Sequence, residues 1–97
     1  MDKIKITDGI VYAILDPEEA KELTRKQTSI AYIDDGDIGI ILNEKELIEY
    51  LECGYDAGIE LGSEAELRAD WQEACARNNE TRSFEAWLED KAENLIN

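Results

Sequence analysis

Histidine is absent from these 97 residues, proline occurs once and cysteine twice. Without histidine, serine and cysteine nucleophiles lose their usual general base. Cys53 and Cys75 are isolated and fit no C-x-x-C spacing, so a structural zinc site has too few soft ligands. The two are read as reduced thiols rather than a disulfide. Basic residues are also scarce, 10 against 24 acidic ones, for a net charge of −14. That balance excludes the basic surface by which proteins hold nucleic acid or anionic membrane. The longest apolar runs, "IVYAIL" and "IGIIL", are too short to span a bilayer, and "MDKIKITDGI" has no apolar core of a secretion signal. A cytoplasmic protein without metal, cofactor or direct nucleic-acid contact is expected.

What is present is a core-forming composition. Hydrophobic residues make up 43% of the chain and recur regularly, enough for one compact domain over residues 1–97. "GIVYAIL" reads as a strand, with the alternating "KIKIT" before it as a partner or an extension. "DPEEAKELTRK" carries Asp16 as N-cap, Pro17 in the first helical position, early acids and late bases, predicting a helix over residues 17–26. "TSIAYID" and "DIGIIL" flank Asp35-Gly36, the signature of a two-residue type I′ hairpin turn with Asp34 and Asp37 at the strand ends.

Asn43 with Glu46, and Ser63 with Glu66, are polar caps with an acid three residues on, and each opens a helical pattern. In the first of these the apolar positions Leu47, Ile48, Leu51, Tyr55 and Ile59 keep to one face. The helix is placed from residue 44 to about residue 55, and whether it resumes beyond Gly54 and Gly58 stays open. Leu67, Trp71, Ala74 and Cys75 define the next helix, and Phe84, Trp87, Leu88, Ala92, Leu95 and Ile96 the last, the two forming a C-terminal pair. The fold class is α+β: a small, mainly antiparallel sheet of about three strands packed with three to four helices.

The familiar chemical motifs fail on their spacing. A calcium loop begun at Asp35 would put Gly39 where an oxygen ligand belongs and Ile40 where the sharp-turn glycine belongs. Glu19 and Lys21 have a nuclease-like Glu-x-Lys spacing but fall in the first turns of a helix. Gly54, Gly58 and Gly62 lack the Lys-Ser/Thr that completes a phosphate cradle. Trp71, Phe84 and Trp87 lie on apolar stripes and are read as core. No enzyme is expected.

Charge is the remaining signal. Residues 34–66 hold 11 acids against the single base Lys45. If the helix continues past Gly54, Glu49, Glu52, Asp56 and Glu60 form one stripe about 16 Å long, with roughly one charge per 4 Å against one phosphate per 3.4 Å of a DNA strand. Asp34, Asp35 and Asp37 of the hairpin, Glu44 and Glu46 at the helix start, and Glu64 and Glu66 of the next helix would widen it. In size, acidity and lack of catalytic residues the chain resembles the DNA-mimic proteins of phages and mobile elements, among them anti-CRISPR and antirestriction proteins and the uracil-DNA glycosylase inhibitor. The resemblance implies a non-enzymatic inhibitor whose carboxylates enter the basic groove of a nucleic-acid-binding protein such as a host defence nuclease. The alternative is a protein-interaction or regulatory module with an apolar contact surface, such as the Trp71 and Trp87 helices, or a homodimer. A monomer is favoured.

Overall fold

A computed structural model describes residues 3–34 and 36–96. Nine elements follow in order: β1 (Ile4–Thr7), β2 (Ile10–Leu15), α1 (Pro17–Arg25), β3 (Ile30–Asp34), β4 (Asp37–Ile41), α2 (Glu44–Glu52), β5 (Asp56–Ser63), α3 (Glu64–Arg77) and α4 (Phe84–Ile96). The α+β class and the C-terminal helix pair match the expectation, with five strands in place of about three. No helix among the described residues is long and apolar enough to cross a membrane.

The five strands form one antiparallel sheet in the order β1-β2-β5-β3-β4. "KIKIT" is a partner strand, turned into β2 by Asp8 (φ 54°) and Gly9 (φ 76°). Two consecutive left-handed residues are what a two-residue hairpin demands, and Asp-Gly supplies them cheaply. The second hairpin pairs Asp34 with Asp37, with Gly36 at φ 98°. Asp35, the other expected turn residue, lies outside the described residues.

The helix starts follow their caps. Asp16 and Glu19 form a reciprocal capping box, and Asn43, Ser63 and Ser83 each accept from a backbone N–H three residues on. The end of α2 corrects the sequence reading: there is no continuation through Gly54. Gly54 sits at φ 92°, its N–H donates to Leu51 O at 3.1 Å, and the Tyr55 N–H donates to Tyr50 O at 3.0 Å. This crossed pair of bonds closes the last turn and ejects the chain from the helix. The chain then runs as β5 through the middle of the sheet, bonded to both β2 and β3.

Register and the two-residue alternation of strands assign the faces. Ile4, Val11, Ala13, Leu15, Ile30, Tyr32, Ile41, Ala57 and Ile59 share one face, against which the helices pack Ala20, Leu47, Leu67 and Leu88 in two clusters. Tyr12, Ile14, Ala31, Ile33, Ile38, Ile40, Asp56, Gly58 and Glu60 share the other. There Gly58 is required by its neighbours: an added Cβ would come within 2.7 Å of Ile33 Cδ1 and 3.0 Å of Ala13 O.

Candidate functional site

At one end of the sheet three tyrosines from separate elements meet. Tyr32 comes from β3, Tyr50 from the last turns of α2, and Tyr55 from the residue that follows its terminating glycine. Ring centroids are 4.3 Å apart for Tyr32 and Tyr50, 5.3 Å for Tyr32 and Tyr55, and 5.9 Å for Tyr50 and Tyr55. The Tyr50–Tyr55 contact joins the two residues whose backbone bond closes α2, an apolar contact typical of this kind of helix ending. Tyr32 lies over Gly39 of the neighbouring β4, whose missing side chain leaves the space; a Cβ there would overlap the phenol ring.

Carboxylates surround these rings. Burial, and then the charge of Glu46, raise the Tyr50 phenol above its ordinary pKa; burial, and then Asp34 and Asp37, do the same for Tyr55. Both phenols stay neutral hydrogen-bond donors at physiological pH. Glu49 is a further contributor at Tyr50. Among the described residues, no base comes within ion-pairing distance of Asp34, Asp37, Glu46 or Glu49. Glu52, exposed in the last turn of α2, shares that lack of a partner.

The other acids of the expected surface lie elsewhere. The four-residue stripe does not form, because α2 ends at Glu52 and the chain reverses into a strand. Asp56 and Glu60 project from the sheet face opposite the helices, where Asp56 pairs with Lys5 at 3.8 Å. Glu60, after burial, helps raise the Tyr12 phenol. Glu44 is held by Arg25 at 2.9 Å and Glu64 by Arg68 at 3.2 Å. Glu66 is exposed in the first turn of α3, its own N–H donating to Ser63 Oγ. The acids of the central third are thus divided among three regions, of which the tyrosine end gathers Asp34, Asp37, Glu46 and Glu49. Residue counting missed the tyrosines, whose grouping depends on a cross-strand glycine; the Gly39 opposite an aromatic in a hairpin was the available signal.

The second aromatic group is engaged within the chain. Trp71, Phe84 and Trp87 line up between α3 and α4, with Arg68 4.4 Å above Phe84 and Lys91 5.2 Å from Trp87. Trp71 Nε1 donates to Arg82 O at 3.1 Å. Cys53 is exposed, Cys75 half-buried, and both are free thiols. No group of three or more potential ligands among the described residues is arranged to hold a metal. Comparison with protein-family models, curated proteins and solved structures finds no significant match.

Proposed function

We propose that this chain is a small acidic inhibitor that binds the basic groove of a nucleic-acid-binding protein and excludes its nucleic acid. It would be of the anti-CRISPR or antirestriction kind and act in the cytoplasm. The supporting observation is the group of four carboxylates, Asp34, Asp37, Glu46 and Glu49, that have no ion-pair partner among the described residues and surround neutral tyrosines. The net charge of −14 draws a cationic surface from a distance. At contact the carboxylates take the positions of phosphates, and the tyrosine rings receive guanidinium or ammonium groups, each such contact worth about 0.5–1 kcal/mol at an exposed site. The apolar alternative is the weaker reading, since Lys91 already sits over the Trp87 ring, Arg68 over Phe84, and Trp71 Nε1 already donates to Arg82 O within the same chain.

The test compares the immobilised protein with a variant carrying Asp34→Asn, Asp37→Asn, Glu46→Gln and Glu49→Gln, which keeps side-chain shape and removes the charge. The wild type should retain basic nucleic-acid-binding proteins that duplex DNA or added salt releases, and the variant should lose about tenfold or more of that retention. Equal retention by the two forms would remove the patch from the mechanism. Retention insensitive to both DNA and salt would remove mimicry itself.

A further inference from the structure

The sheet ends at β4, and no strand among the described residues pairs with its outer side. The closing pair of a two-residue hairpin exchanges its backbone hydrogen bonds, so from Asp34–Asp37 the bonded pairs are Tyr32–Gly39 and Ile30–Ile41. The N–H and C=O groups of Ile38 and Ile40 therefore point away from the sheet. Such an edge is usually blunted by lysine, proline or a bulge. "DIGII" contains none of these, and Ile40 is 63% exposed.

The two faces of this edge differ in chemistry. On the helix-bearing face lie Asp37, Asp34 and the Tyr32 ring, brought out over β4 by Gly39. On the opposite face lie Ile38 and Ile40. A strand added beside β4 would alternate between these environments. We propose that β4 receives an extended segment of a partner protein in which basic and apolar residues alternate, extending the sheet by one antiparallel strand. Its apolar residues exchange backbone bonds with Ile38 and Ile40 and cover their side chains. Its basic residues stand opposite Asp37, Gly39 and Ile41, beside the tyrosine and the carboxylates. A second copy of this chain is the poorer occupant, because it brings another −14 to the same acidic edge. The proposal deepens the reading of the acidic patch and rests on it.

The probe is a blocked peptide of about seven alternating valines and lysines. Its control is the same peptide N-methylated on the valines, which keeps every charge and removes the edge-facing donors. The plain peptide should bind about tenfold or more tightly than the control, since at least two backbone hydrogen bonds separate them. It should slow amide exchange at Ile38 and Ile40, and lose a similar factor against Ile40→Pro, which deletes an outward N–H. Ile40→Lys, at an exposed position, repeats the test if the proline variant does not fold. Equal binding of the two peptides, or none, overturns the added strand. So does a wild-type chain that sediments as a dimer with those amides already protected. The patch neutralisation experiment reads the acidic surface separately, so a failed strand and a failed mimic give different results.

Discussion

Gly39 is the residue on which the tyrosine cluster depends. Any side chain there would take the space of the Tyr32 ring, and the ring would swing off Tyr50. Gly39→Ala should cost about 1 kcal/mol, the worth of an aromatic pair beyond its burial, and weaken the tyrosine near-ultraviolet circular dichroism. A second residue-scale feature is Glu80, which accepts from both the N–H and the guanidinium of Arg82 at 2.9 Å. Those bonds lower its carboxyl from the ordinary range to about 2. A depressed folded-state pKa contributes stability above the unfolded value and loses it as pH falls through the folded one. The Glu80–Arg82 contact within the α3–α4 loop should therefore persist near pH 4.5 and fail on descent towards 2. Carboxyl NMR titration should place Glu80 near the lower value in the wild type, and Arg82→Ala, which removes the guanidinium but keeps the backbone N–H, should raise it towards the ordinary range.

Among the elements, the termination of α2 sets the architecture, because it converts a helical segment into the central strand. Gly54→Ala forces an L residue into the left-handed region at the helix end and should cost about 1–2 kcal/mol, read from the urea midpoint. The helix starts were legible: Asp16, Asn43, Ser63 and Ser83 are short-range caps whose hydrogen bonds lie within three residues. β5 was not, since Leu51, Tyr55 and Ile59 recur every four residues like a helix face, while Ala57, Ile59 and Leu61 alternate like a strand. Only pairing with β2 and β3 decides between the two periods. The Asp8-Gly9 turn carried the same dipeptide signal as Asp35-Gly36. Of the site, the acids were visible in composition. Their division among three regions was not, because strand direction and ion pairing with Lys5, Arg25 and Arg68 are tertiary facts.

At the scale of the whole molecule, net charge opposes compaction. Raising ionic strength shortens the reach of that repulsion, so the melting temperature should rise by about 4 °C or more between low salt and about 0.15 M, equivalent to about 1 kcal/mol. Invariance to salt would mean that the excess charge is already dispersed. The position of β5 bears on assembly as well. Each hairpin pairs neighbouring residues, yet no strand pairing joins the two except through β5, which is made later and lies between β2 and β3. A growing chain therefore holds two unfinished halves, each with an open edge, until residues 56–63 emerge and zip them together. The late seam, rather than either turn, is then expected to set how fast the protein matures and how long its edges stay vulnerable to mispairing, so destabilising β5 should slow refolding measured by stopped flow more than destabilising either turn.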